Sequence, residues 1–295
     1  MFEPMITVLM PVYNGSLYLR EAMDSIIGQT FHDFEFLIID DGSTDNSMDI
    51  INSYKNGRIC VIKNDTNCGI SAALNKGLEH ARGQYIARMD CDDISMPERL
   101  YRQVLFMEEH PQIGVCGSWI QIIGEWSHGD IWRYPTEPEK IKCGLLFSNI
   151  LAHPSVIIRR NVLTSTGIYY DVLYKYAQDY KLWVELAKRT LLANIPEVLL
   201  QYRFSNSQIC LKKWSEIAIE PDWIKLEQLD ALGIKPTPRE FEIHGHFAVD
   251  TLPKDKEFAQ EAEKWLIKLE LANNLVGYYP KDIFSDYIDQ FRTLL

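Results

Sequence analysis

ITVLMPVYNGSLYLREAMDSIIGQTFHDFEFLIIDDGSTD, residues 6–45, sets out the fold in miniature. ITVLMPVY is a nearly continuous apolar run, the mark of a strand buried on both faces. SLYLREAMDSIIGQ then changes period, with Leu17, Leu19, Ala22, Met23, Ile26 and Ile27 at helical spacing. FEFLIID is a second buried strand. The same alternation continues. DGSTDNSMDIINSYK offers Ser43, Thr44 and Asp45 as N-cap candidates ahead of a helix. RICVIKN reads as a third strand, ISAALNKGLEHAR as a third helix and QYIARM as a fourth strand. Strands and helices taking turns in this way predict right-handed βαβ units, hence an α/β fold whose sheet is mostly parallel with helices on both faces.

After Asp93 the rhythm loosens. PERLYRQVLFMEEH predicts a helix with Pro97 in its first turn, Ser95 as a cap and Glu98 at the favourable end of the dipole. IGVCGSWIQIIGE, PSVIIRR and VLLQYRF read as strands, EPEKIKCGLLFSN and YAQDYKLWVELAKR as helices. From about Ser205 the strand-like runs stop and amphipathic helical patterns take over, so the expected division is an α/β domain over 1–205 and a helical appendage over 206–295. Trp214, Trp223 and Trp265 in that appendage read as packing residues.

With 295 residues and 46% hydrophobic content, the chain suffices for one large domain or one domain with an appendage. A net charge of −11 argues against binding a nucleic-acid backbone. The six cysteines are scattered without a Cys-x-x-Cys pair and read as small buried hydrophobes, not disulfides or zinc ligands. MFEPMITVLMPVYNG lacks the basic start of a signal peptide, and no run reaches the roughly 18 apolar residues of a spanning helix. The expectation is a soluble, cytoplasmic protein, with peripheral membrane contact and oligomerisation left open.

In an open α/β sheet, ligands sit beyond the carboxyl ends of the strands. Three motifs fall at such ends: PVYNG, DDGSTD and MDCDD. Asp90 and Asp92 lie two apart, so in an extended segment they point the same way. A hard divalent cation with oxygen ligands answers that crowding. The rival reading gives Asp92 and Asp93 to the loop before the next helix; position at a strand's carboxyl end favours the cation for Asp90 and Asp92, and leaves Asp93 to shape the turn. In DDGSTD, Asp41 is favoured as a ligand contact and Asp40 as a structural residue. Tyr13 at a strand end can stack on a nucleobase, and Gly69 before a helix lets backbone N–H groups approach a ligand. Neither a Gly-x-Gly-x-x-Gly nor a Gly-Lys-Ser/Thr phosphate loop is present. Asp179 in QDYKLW starts a helix; it suits the dipole there, and it also suits a general base pointed into the crevice. His153 reads as a structural histidine.

With these motifs assembled, the chain resembles the family 2 glycosyltransferases of the GT-A fold. The matching stretches are TVLMPVYNG, DDGSTD, NCGISAALNKGLEHARGQYIARMDCDD, PERL, AHPSVIIRR and QDYKLW with its downstream YRF, covering about residues 5–205 in the family's order. The set is similar to bacterial enzymes that extend lipooligosaccharide, capsule or O-antigen glycans. Its downstream half is closest to the β-1,3-N-acetylglucosaminyl- and galactosyltransferase type. The resemblance implies a Rossmann-like GT-A domain and inverting, metal-dependent transfer from a UDP-sugar to a hydroxyl of a saccharide or lipid-linked saccharide, giving a β-linkage. It implies base-binding positions at Pro11, Val12, Tyr13 and Asp41, and a nucleoside-lining segment at Gly69 and Asn75. It further implies Mn²⁺ or Mg²⁺ at Asp90 and Asp92, with Asp92 the more direct ligand, and a catalytic base at Asp179. Cys91 in the middle of the acidic motif is a tolerated departure. Gln178 stands where the family more often has glutamate, which removes one carboxylate beside the base. The alternatives are a non-catalytic sugar-nucleotide-binding or scaffold protein and a sugar-nucleotide pyrophosphorylase. The latter would want a Gly-rich basic loop that PVYNG does not supply.

Overall fold

Seven consecutive buried residues form β1 (Ile6–Val12) and seven more form β2 (Phe34–Asp40). The computed structural model describes residues 3–125, 129–204, 219–248 and 252–295. Its sheet also holds β3 (Ile59–Lys63), β4 (Tyr85–Arg88), β5 (Ile94–Ser95), β6 (Ile113–Gly124), β7 (Ile131–Trp132), β8 (Ile157–Arg159) and β9 (Leu191–Phe204). The strands run in the order β3-β2-β1-β4-β8-β6-β9-β5, with β7 beside β6. Pairing is parallel through β3, β2, β1 and β4, as the alternation predicts. Beyond β4 the sheet is mixed: β8 is antiparallel to both β4 and β6, β6 and β9 are parallel with register shifts, and β5 is antiparallel to β9. The helices among the described residues are α1 (Leu19–Ile27), α2 (Ser47–Ser53), α3 (Ile70–His80), α4 (Arg99–Glu109), α5 (Pro138–Gly144), α6 (Arg160–Thr166), α7 (Gln178–Leu186), α8 (Ile219–Ala231), α9 (Pro238–His246), α10 (Lys256–Val276) and α11 (Lys281–Arg292).

Two compact units result, one within Met1–Tyr134 and Leu151–Trp214, the other within Pro135–Ile150 and Ser215–Leu295. The first is built on β1, β2 and β4, whose apolar side chains pack with those of α1, α4, β6 and β9. In the second, Phe147 near α5 shares a core with Trp265, Leu266 and Leu269 of α10 and Phe284 and Ile288 of α11. Trp265 is buried there, while Trp223 is 51% exposed. Trp214 and Cys210 lie outside the described residues. Cys116 and Cys143 are buried as expected, but Cys68 is exposed. No described helix is long and apolar enough to cross a membrane.

Several local expectations are corrected. Leu17 is 73% exposed because α1 begins only at Leu19. Ser95 does not cap α4; it belongs to β5, and the first-turn donor Leu100 N–H is taken by Gln29 Oε1 at 3.1 Å. Pro11 lies inside β1 without breaking its ladder. Leu9 C=O faces β4, accepting from Met89 N–H, so Pro11, two residues on, faces the same side past the last β1–β4 pair. Its missing N–H therefore leaves no gap in the ladder.

Ser43, Thr44 and Asp45 precede α2, but they mostly serve another loop. Asn14, at φ 51, accepts from Thr44 N–H at 2.8 Å, and its own N–H donates to Ser43 Oγ at 3.0 Å. Gly15 N–H donates to Ser47 Oγ and Ser16 N–H to Asp45 Oδ2, both at 3.0 Å. Asp45 Oδ1 accepts from Ser47 N–H at 3.0 Å, which is the share of capping it retains. The loops after β1 and β2 are thereby stitched edge to edge.

Burial raises the Asp45 carboxyl, but bonds from Ser47 and Ser16 outweigh it and hold the group at about 2, down from an ordinary 3.8. A lowered carboxyl stabilises the fold above its unfolded pKa and loses that contribution as pH falls through the folded one. Asp45→Asn is expected to lower the urea unfolding free energy by about 1 kcal/mol at pH 7. The deficit should shrink between pH 4 and pH 2. Unfolding curves at both ends of that window check it, and a pH-independent deficit would contradict the charge argument.

Candidate active site

β4 stops at Arg88 and β5 starts at Ile94, so the segment between them is gripped at both ends. β5 is tied to β9 through Ile94↔Gln201 and Ser95↔Leu200. Within this short span Asp90, Asp92 and Asp93 each present a carboxylate oxygen within 4.8 Å of the others. Beneath them lies Arg88, 1% exposed, whose Nη1 pairs with Asp90 Oδ1 at 2.5 Å. Over them lies Arg203 of β9. Its N–H donates to Asp93 Oδ1 at 2.8 Å, its Nε to Asp92 C=O at 2.7 Å and its Nη2 to Glu21 at 2.6 Å. Its guanidinium also stacks on the Tyr18 ring at 4.2 Å.

The electrostatics follow from this placement. Burial pushes the Asp93 carboxyl well up, and the charges of Asp90 and Asp92 push it further. Burial would discharge Arg88, but Asp90 and the neighbouring acidic groups keep it a cation. Arg88 offsets part of the negative charge that the three carboxyls gather here. Asp93 Oδ2 is buried with no hydrogen-bond partner. Converging oxygens and a buried Asp93 oxygen without a hydrogen-bond partner fit a hard divalent cation. Asp93 is thus part of the cluster and shapes the turn as well. Cys91 is a bystander: burial, then Asp92, push its thiol up, and its Sγ sits beside Gly15.

On the neighbouring strands, Pro11 and Val12 are buried within β1, while Tyr13, immediately after it, is 50% exposed. Asp41 is 3% exposed and turned inward. Its carboxylate accepts from Asn64 Nδ2 at 2.7 Å, from Cys68 N–H at 3.0 Å and from Gly69 N–H at 2.9 Å. It therefore holds the loop that opens α3, where Gly69 takes φ 89. Asp40 Oδ1 accepts from Ser43 N–H at 3.2 Å, as a turn residue should. Asn75 uses its amide on Tyr170, donating to Tyr170 C=O at 2.8 Å and accepting from Tyr170 N–H at 3.0 Å.

Asp179 is partly buried in the first turn of α7. Gln178 before it is 7% exposed, and its Oε1 has no hydrogen-bond partner. Two tyrosines report where Asp179 lies. The Tyr134 phenol is raised by burial and then by Asp179. The Tyr170 phenol is raised by burial, drawn down by Arg88, and raised again by Asp179 and by Asp90. Tyr170 is within electrostatic reach of both carboxylates, so the end of β4 and the start of α7 face one region. His153 bonds the Tyr170 hydroxyl through Nε2 at 2.8 Å, and burial followed by Arg88 pushes it well below 6.5. It is a neutral structural histidine, as expected.

Arg88, Tyr170 and Arg203 escape sequence reasoning. Arg88 leaves a signal, because a cation inside the buried strand YIAR must have a partner. Tyr170 leaves none, since its contact with Asn75 spans 95 residues, and Arg203 leaves only the YRF stretch, with a partner 110 residues away.

Residues 7–166 match the family described as Glycosyl transferase family 2. An uncharacterised glycosyltransferase of Haemophilus influenzae is 36% identical over 216 residues, 70% of this chain and 67% of that protein. The amylovoran biosynthesis glycosyltransferase AmsE of Erwinia amylovora is 28% identical over 79% of this chain and 88% of its own. Among solved structures, S. aureus TarS 1–349 in complex with UDP-GlcNAc superposes with TM-score 0.62 at 20% identity, covering 98% of this chain and 90% of that one. Mannosyltransferase PcManGT of Pyrobaculum calidifontis, in complex with GDP-Man and Mn²⁺, superposes with TM-score 0.60 at 15% identity, covering 100% and 84%. These two share the fold, a mixed α/β sheet with helices of the GT-A type. The family match over more than half of the chain, with a relative at 36% identity, identifies this protein as an enzyme of glycosyltransferase family 2.

Proposed function

We propose that the protein is an inverting transferase that moves a hexose or N-acetylhexosamine from a UDP-sugar to a hydroxyl of a growing surface glycan or lipid-linked saccharide, giving a β-linkage. The observation that carries this reading is the convergence of Asp90, Asp92 and Asp93 just past β4, with Tyr170 in electrostatic reach of both Asp90 and Asp179. A cation site and a carboxylate base facing one region are what a single displacement needs. The leaving diphosphate is stabilised on one side, and the attacking hydroxyl is deprotonated on the other.

Asp92, Asp90 and Asp93 would hold the divalent ion, Mn²⁺ or Mg²⁺. When bound, the ion supplies a Lewis acid for the departing diphosphate. Tyr13 offers a half-exposed ring to the nucleobase at the carboxyl end of β1, with Pro11 and Val12 forming the strand beneath it. Asp41 contributes by holding the Cys68 and Gly69 N–H groups in the loop on the nucleoside side. Asp179 accepts the proton of the acceptor hydroxyl as its oxygen attacks the anomeric carbon. UDP as carrier is supported by the fold shared with TarS bound to UDP-GlcNAc, and a metal by PcManGT bound to Mn²⁺. A surface polysaccharide as acceptor is supported by the likeness to an amylovoran biosynthesis enzyme. The reaction would take place in the cytoplasm or at the inner face of the membrane.

Asp179→Asn is expected to lower kcat for transfer by about 10²–10⁴-fold while leaving UDP affinity unchanged. Single-turnover transfer and calorimetric UDP binding read the two effects, and transfer at near wild-type rate would remove Asp179 from the mechanism. Asp92→Ala is expected to abolish the gain in UDP affinity that Mn²⁺ brings. Titrations with and without the metal test this, and an unchanged gain would contradict the assigned ligand. UDP release from a panel of UDP- and GDP-sugars identifies the donor. Metal-dependent hydrolysis of any of them excludes a purely binding or scaffold role.

A further inference from the structure

The segment from Gly167 to Ala177 joins α6 to α7 and delivers the chain to Asp179, yet it forms no strand or helix of its own. With no ladder to hold it, it depends on side chains from elsewhere. Two of them stand on α3. Asn75 binds Tyr170 at both backbone atoms, donating at 2.8 Å and accepting at 3.0 Å, as a neighbouring strand would. Ser71 Oγ, one turn earlier on the same helix face, donates to Tyr174 C=O at 3.0 Å. The Tyr170 side chain is fixed separately, by His153 Nε2 at 2.8 Å. α3 is itself an immovable support, for it packs against β1 so closely that a Cβ on Gly77 would lie 2.2 Å from Leu9 Cδ1.

We infer that Asn75 is a positioning residue for the general base: by clamping the Tyr170 backbone to α3 it sets the entry of the chain into α7, and so the placement of Asp179. This rests on the reading of Asp179 as the base. It moves Asn75 out of the nucleoside contacts and into the acceptor half of the reaction. Misplacing a catalytic group by about 1 Å can cost about 10²-fold in rate without touching substrate affinity.

The test uses the full chain with Asn75→Ala, and with Ser71→Ala as the gentler variant that removes one bond of the same clamp. For Asn75→Ala, kcat should fall by about tenfold or more, with UDP affinity in the presence of Mn²⁺ within about twofold of wild type. Amide hydrogen exchange should accelerate over residues 168–182 and stay unchanged in the β1 and β4 peptides. Ser71→Ala should show the same pattern with a smaller fall. Weakened UDP binding at unchanged kcat would overturn the inference and restore Asn75 to the nucleoside. Exchange over 168–182 indistinguishable from wild type would overturn it as well, as would faster exchange at full kcat. Asp179→Asn run alongside separates the two claims. If Asp179→Asn is active, the base assignment fails. If it is inactive while Asn75→Ala is fully active, only the clamp fails.

Discussion

Arg88 carries its charge at 1% exposure, directly beneath three carboxylates that could not otherwise share so small a space. An unpaired guanidinium at that depth would cost several kcal/mol, and so would an uncompensated carboxylate triad. Each makes the other tolerable. The surrounding structure keeps them in register. Arg99, itself fully buried, donates to the Arg88 C=O at 2.7 Å and to the Val156 C=O at 3.2 Å, fixing the end of β4 against the chain that leads into β8. Gln103 continues the same scaffold to Ser155 at 2.7 Å. The ion pair is therefore the top of a buried polar column that holds the end of β4 in place. One buried Asp93 oxygen is left without a hydrogen-bond partner, and the three carboxyls still converge around it.

The two sides of the crevice are built by different means. On the nucleotide side, the parallel strands β2, β1 and β4 end side by side, so their loops meet without further instruction. Short side chains then lock them: Asn14 to Thr44, Asp45 to Ser16, Asp41 to Cys68 and Gly69. On the base side no such sheet geometry exists. Asp179 reaches the crevice because an irregular segment is held by Asn75, Ser71 and His153. The first arrangement rests on the sheet itself; the second rests on side chains that hold an irregular segment.

These two means also decide what could be read from the sequence. β1, β2 and β4 are legible because a strand covered on both faces must be apolar throughout, and α1 and α3 because their apolar spacing is helical. The family is legible because the motifs around Asp90, Asp92 and Asp179 fall in its order along the chain. β5 and β7 are two residues each, too short for any periodicity to register. Capping fails for a related reason. Ser95 and Pro97 look like a helix start, but Gln29, just past α1, supplies the acceptor, a choice that only packing reveals. The role of Asp41 is half legible: a carboxylate at a strand end was expected to face the ligand, and it faces the loop.

Arg203 gives the molecule an order in time as well as in space. It is the residue that joins Asp92 and Asp93 to β9 and to Glu21, 182 positions earlier in the chain. During synthesis the strands of the nucleotide side can pair as soon as β4 has emerged, but the acidic loop has no lid and β5 has no partner until the chain has grown past Phe204. Contacts of such long sequence separation form late, because the loop they close is costly in entropy. A nascent chain thus carries a repulsive, unfinished acidic loop through most of its synthesis. The loop is complete only when β9 takes its place between β6 and β5.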